Sequence, residues 1–95
     1  MPMYLFEGRS DIQTLMEEQF SRYHLCYDVV CLDYGISRNN MADMLVRGDM
    51  RHTRDLFRYM YALYDLIDDK DTAFYEIHLL IDAFITGFCP KESLR

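Results

Sequence analysis

Apolar positions recur at helical spacing along most of the chain. Ile12, Leu15, Met16, Phe20 and Tyr23, with Gln19 among them, share one face of a helix starting near Asp11. Tyr27, Val30 and Tyr34 extend the stripe, so the pattern admits one helix over 11–34 or two with a break near Tyr23-His24-Leu25. Ser10 followed by Gln13 has the form of a capping box, and Asp11 suits the first turn. Gly35 is a stop signal, because glycine enters the left-handed region without a Cβ penalty. Ser37 caps a following helix whose inner face is Met41, Met44 and Leu45, and Gly48-Asp49 ends it. Thr53 caps another, with Leu56, Phe57, Met60, Leu63, Tyr64 and Ile67 as its apolar stripe. Asp68-Asp69-Lys70-Asp71 reads as a polar connection with a cap at Asp71 or Thr72, since it lacks the central glycine and ligand spacing of a calcium loop.

The last helix is expected from Thr72 to Phe88, before Pro90. Its main stripe is Phe74, Ile77, Ile81, Phe84 and Phe88, and Leu79, Leu80, Ala83 and Ile85 widen it past one face. A helix this apolar in a small domain needs cover on two sides. The core supplies one, and the same helix of a second subunit is the expected other, through Leu79, Leu80, Ala83 and Ile85. The expected fold class is all-α. The expected organisation is an apolar, extended arm over 1–10, a helical domain over 11–67, and a C-terminal dimerisation element over 68–95.

Ninety-five residues, 51% of them hydrophobic, suffice for one packed core and exclude a disordered or collagen-like chain. The net charge of −6 argues against a basic coat for non-specific binding to nucleic acid or membrane. The charge is uneven, however: only residues 35–60 are net basic, through Arg38, Arg47, Arg51, Arg54 and Arg58 against Asp43, Asp49 and Asp55. Arginine suits bidentate contacts to phosphate and guanine, whereas the bland alternative is a solvated face of internal ion pairs. The three cysteines, Cys26, Cys31 and Cys89, are an odd count without a secretory leader, which reads as reduced thiols in a cytoplasmic protein. The most apolar run, 77–88, carries His78 and Asp82 and is too short to span a bilayer. No metal site, cofactor, phosphate loop or catalytic spacing is apparent, so an enzyme is not expected.

The informative segment is 27–46. Val30, Tyr34, Ile36, Met41 and Met44 are apolar, Cys31 is small, and Gly35 stands four residues later. Two helices meeting at about 90–120° need a small residue at their crossing and a glycine in the turn. Leu25-Cys26-Tyr27-Asp28-Val29-Val30-Cys31-Leu32-Asp33-Tyr34-Gly35-Ile36-Ser37-Arg38-Asn39-Asn40-Met41 resembles the helix-turn-helix of the lambda repressor and Cro (Xre-type) family. Leu15-Met16-Glu17-Glu18 is similar to that family's first helix. Arg47-Gly48-Asp49, Thr53 and the Leu56, Phe57, Met60 stripe are similar to its loop and fourth helix. The resemblance covers about residues 11–67 and favours the break near His24. It implies a compact five-helix domain acting as a homodimeric, sequence-specific transcription regulator on double-stranded DNA.

On that resemblance, Arg38 reads guanine, Asn39 or Asn40 reads adenine, Ser37 caps the helix or meets phosphate, and Arg47, Arg51 and Arg54 hold the backbone. The residues leave a second function open. The acidic total, Asp43 and the many tyrosines favour a protein-binding module on a helix-turn-helix scaffold, antitoxin-like, anti-activator or phage-encoded inhibitor in kind, with Tyr59 or Tyr61 at its surface. The bland alternative for Arg38 and Arg47, whatever the function, is pairing with Asp33, Asp43 or Asp49.

Overall fold

A computed structural model describes residues 11–88, with side chains over 12–85. The described residues form five helices and no strand. These are α1 (Asp11–Arg22), α2 (Tyr27–Tyr34), α3 (Arg38–Ala42, running on through a π-helical turn Asp43–Arg47), α4 (Thr53–Leu66) and α5 (Lys70–Phe88). The arm over 1–10, Ser10 of the expected capping box and Cys89 lie outside the described residues. The Gln13 side chain instead donates to the Val46 carbonyl at 2.7 Å, tying α1 to the π-turn.

The chain breaks where the resemblance places it. Tyr23 and Leu25 amides bond back to Gln19 and Phe20, His24 turns left-handed at φ 54°, and Cys26 is extended before α2. Gly35 then takes φ 69°, and its amide caps the Cys31 carbonyl. Ser37 is extended, and its hydroxyl accepts from the Asn40 amide at 3.3 Å, which starts α3. Gly48, also left-handed, closes the π-turn.

Two helix starts differ from expectation. Thr53 is the first helical residue of α4 rather than its cap; His52 precedes the helix and makes no side-chain cap bond. The fifth helix begins at Lys70, before Asp71 and Thr72. Asp69 anchors its first turn by accepting from the Thr72 hydroxyl at 2.6 Å, and the Lys70 ammonium reaches back to the Tyr64 and Ile67 carbonyls.

The core joins Ile12 and Met16 of α1, Val30 of α2, Met41 and Met44, Leu56, Tyr59 and Leu63 of α4, and Leu80 of α5, all fully buried. A polar network crosses its middle. Buried Glu76 accepts from Gln19 Nε2 at 2.9 Å, from the Tyr23 hydroxyl at 2.6 Å and from Arg22 at 3.0 Å. Buried Tyr59 donates to Gln19 Oε1 at 2.8 Å, and its ring stacks on Phe20 at 5.8 Å. Burial pushes the Tyr59 phenol pKa far up, so the hydroxyl stays a donor.

The network sets which face α5 turns inward. With Glu76 inside, Ala73, Leu80 and Ala83 join the core, while Phe74, Ile81 and Ile85 face out. The buried face is therefore about a quarter of a turn from the stripe Phe74–Ile77–Ile81–Phe84, at 3.6 residues per turn. The expected dimer set divides accordingly. Leu80 and Ala83 are consumed by the chain's own core, Leu79 is half-buried, and only Ile85 is exposed. On α4, Asp55 accepts from the Asn40 amide group at 2.6 Å and Tyr59 reaches Gln19. That turns Asp55, Leu56, Tyr59, Ala62 and Leu63 inward and leaves Phe57 and Tyr64 outside. Tyr59, expected at the surface, is a core residue.

Candidate functional site

α2 and α3 join through the Gly35 turn, and Arg38, Arg47, Arg51 and Arg58 around them are engaged within the chain. Arg38 meets Asp28 at 2.7 Å and lies over the Tyr27 ring at 5.9 Å, while the Tyr27 hydroxyl donates to the Arg38 carbonyl at 2.7 Å. Its partner is Asp28, in the first turn of α2, rather than Asp33. Arg47 lies 3.5 Å from Asp43. Arg51 forks onto Asp49, Nε to Oδ1 at 3.0 Å and Nη2 to Oδ2 at 2.7 Å. The Arg51 side chain, then its backbone amide, hold the Asp49 carboxyl far below the usual carboxylate range. Asn40 is committed to Asp55 and Ser37 to the α3 cap. Of the expected DNA contacts, only the Asn39 and Arg54 side chains lack a partner among the described residues.

Four of those contacts do come together. Ser37, Asn40, Arg51 and Arg54 line a polar cleft of about 440 Å³ with Gly35, His52, Thr53, Asp55 and Arg58. Arg58 crosses its mouth to donate to the Gly35 carbonyl at 2.6 Å. Arg38 stands apart beside Asp28, and Arg47 lies at the far end of the π-turn. His52 Nε2 sits 3.1 Å from Asp43 and 3.8 Å from Asp49. This grouping, which linear spacing did not suggest, ties the π-turn to the start of α4. Arg47 and Arg51 complete it as an ion-pair network.

A second feature is aromatic. Tyr34 of α2 and Phe57 and Tyr61 of α4 line a shallow apolar depression of about 520 Å³, edged by Arg54, Arg58 and Asp33. Phe57 is 57% exposed and Tyr61 62%. The Tyr34 ring meets Tyr61 edge-on at 5.9 Å. Its hydroxyl donates to Asp65 at 2.5 Å, and this bond, with partial burial, pushes the phenol up to about 12. Tyr64 continues the stripe along α4 and touches Phe74 of α5 at 5.4 Å. A second apolar depression, about 540 Å³, lies between α1 and the π-turn, lined by Gln13, Glu17, Phe20, Ser21, Leu45 and Val46.

The sequence reading missed this surface because it placed Tyr34 and Phe57 in inner stripes. The signal was present nonetheless: α4 carries apolar side chains around most of its circumference, more than one core contact can cover. Cys31 is buried, which raises its thiol pKa, and Cys26 is exposed at the start of α2. Among the described residues no helix is long and apolar enough to cross a membrane. Comparison with known proteins returns no matching family model, curated protein or solved structure.

Proposed function

We propose that this chain is a protein-interaction module on a helix-turn-helix scaffold, docking through the outer face of α2 and α4. The observation that carries it is the exposed Phe57 and Tyr61 with half-buried Tyr34, beside Arg54 and Arg58. Aromatic residues and arginine dominate binding hot spots, because they bury large area with little lost rotamer freedom. The surface that fits is apolar, with a carboxylate at its rim to meet the Arg54 guanidinium, which has no partner among the described residues. The internal pairing of Arg38, Arg47 and Arg51 supports the same reading: binding phosphate with them first requires breaking contacts already made. The test is to recover partners on wild-type chain, then titrate an identified partner against Phe57→Asp and Tyr61→Asp. Each substitution is expected to weaken binding at least about thirtyfold, the scale of a 2 kcal/mol hot spot. Unchanged affinity in both refutes this face.

A second reading, a homodimeric DNA-binding regulator, rests on the polar cleft that gathers Ser37, Asn40, Arg51 and Arg54 at the start of α4. It expects saturable binding to a duplex selected from a random pool, with a log-log salt slope of several units. Arg54→Ala is expected to reduce that slope by about one. A pool that yields no enriched duplex at low salt removes this reading.

A further inference from the structure

The π-turn after α3 and the start of α4 bring together three side chains that neither functional reading uses. Asp43 opens the turn, Asp49 follows the left-handed Gly48 that closes it, and His52 stands just before α4. The Asp49 amide bonds to the Asp43 carbonyl at 3.2 Å, which holds the two acidic residues side by side. His52 Nε2 faces both carboxylates, 3.1 Å from Asp43 Oδ2 and 3.8 Å from Asp49 Oδ2. One donor atom from each residue lies within 4.8 Å of the other two, and all three residues are half-buried. Their spacing along the chain forms no metal motif; the fold assembles the set. A π-turn is itself rare and recurs at functional sites.

We propose that Asp43, Asp49 and His52 bind one divalent transition-metal ion of the zinc class. The donor set selects the ion. An imidazole nitrogen with two carboxylate oxygens suits zinc, whereas calcium and magnesium take oxygen ligands. Zinc sits about 2.0–2.2 Å from such donors, which places tetrahedral neighbours about 3.3–3.6 Å apart. The two imidazole–carboxylate distances straddle that value, so small side-chain rotations close the set onto an ion. The carboxylates balance its two charges, and three protein ligands leave the fourth position to water. The competitors are Arg51 on Asp49 and Arg47 on Asp43. Their side chains are 84% and 75% exposed, so both guanidinium groups return to water when the ion displaces them, and exposed pairs are weak. Metal binding therefore excludes the Arg51–Asp49 fork and frees Arg51 in the polar cleft that it lines.

Calorimetric titration of the full chain with zinc chloride, near neutral pH and with a non-thiol reductant, tests this. One zinc ion per chain is expected to bind in the micromolar range, and a millimolar excess of magnesium is expected not to displace it. Asp43→Asn, Asp49→Asn and His52→Ala are each expected to weaken binding more than about tenfold while keeping the wild-type circular dichroism. Arg51→Ala removes a competing cation. It is expected to bind zinc as tightly as wild type, or up to about fivefold more tightly, the scale of an exposed ion pair. His78→Ala, which removes the separate His78–Asp82 pair on α5, is expected to leave binding unchanged. Cobalt(II) in place of zinc is expected to show the visible bands of a nitrogen–oxygen site without thiolate charge transfer, which separates this site from the exposed Cys26. No saturable zinc binding below millimolar concentration overturns the proposal. So does binding that survives both His52→Ala and Asp49→Asn, weaker binding by Arg51→Ala, loss of binding in His78→Ala, or a cobalt spectrum dominated by thiolate.

Discussion

Removing the carboxylate of Glu76 tests the claim that one polar network sets the packing of α1, α4 and α5. The buried Glu76 carboxylate accepts three hydrogen bonds, from Gln19, Arg22 and Tyr23, and the Glu76 carbonyl accepts a longer one from Gln19 Nε2 at 3.3 Å. Arg22 and Tyr23 reach solvent, so in Glu76→Ala they re-bond to water at little net cost. Gln19 cannot: it is fully buried, and its amide nitrogen loses its main acceptor. An unmet buried donor costs about 1–3 kcal/mol. The lost methylene and the cavity left behind add about 1 kcal/mol. Glu76→Ala is therefore expected to destabilise the chain by about 2–4 kcal/mol. Glu76→Met keeps the volume and leaves only the donor penalty, about 1–3 kcal/mol. Glu76→Gln retains an acceptor for Gln19 and is expected to be the mildest of the three. Urea unfolding followed by circular dichroism measures the series, with an unchanged slope as the check that the unfolded state is the same. If Glu76→Met is as stable as wild type, or more so, the network does not hold the helices in register and the argument for the rotated α5 face fails.

Gly35→Ala places a Cβ on a residue at φ 69°, 3.3 Å from Arg58 Nη1, and is expected to cost about 1–2 kcal/mol in the same assay. Ser37→Ala removes the side-chain cap of α3 and is expected to cost about 1 kcal/mol, whereas Ser37→Asp retains the cap. Phe57→Asp is expected to change stability by less than about 0.5 kcal/mol, because its side chain is mostly in solvent. Tyr34 is held protonated by its bond to Asp65, with its pKa raised from 10.0 to about 12. The stability it contributes is complete below pH 10, where the unfolded phenol is also neutral. It is lost as pH rises from 10 to 12, where only the unfolded state ionises. Alkaline unfolding of Tyr34→Phe against wild type is expected to show a shallower decline across that window.

The backbone plan was legible because its signals are local. Gly35, Ser37 and Gly48 each solve a conformational problem within a few residues, and each stands where the chain turns. The helical faces were less legible, because hydrophobic periodicity treats every polar residue as outward. Here Asp55 and Glu76 are inside, satisfied by partners 15 to 57 residues away, a separation that no local window sees. Turning those two inward turns Phe57, Tyr64, Ile81 and Ile85 outward, and with Phe57 the surface proposed to bind. The arginines are a mixed case. Their type and clustering pointed to phosphate, yet Arg47–Asp43 and Arg51–Asp49 are near neighbours in sequence, and only Arg38–Asp28 needed α2 and α3 in place.

Site-specific photo-crosslinking tests the proposed docking face most directly. A photoreactive residue is placed at position 57 or 61, and in a control chain at position 46 beside the depression between α1 and the π-turn. The account predicts a discrete protein adduct from 57 and 61 that excess wild-type chain suppresses and excess Phe57→Asp chain does not. Adducts formed equally from 46, or a chain that is captured by a selected DNA duplex and by no protein, contradict it.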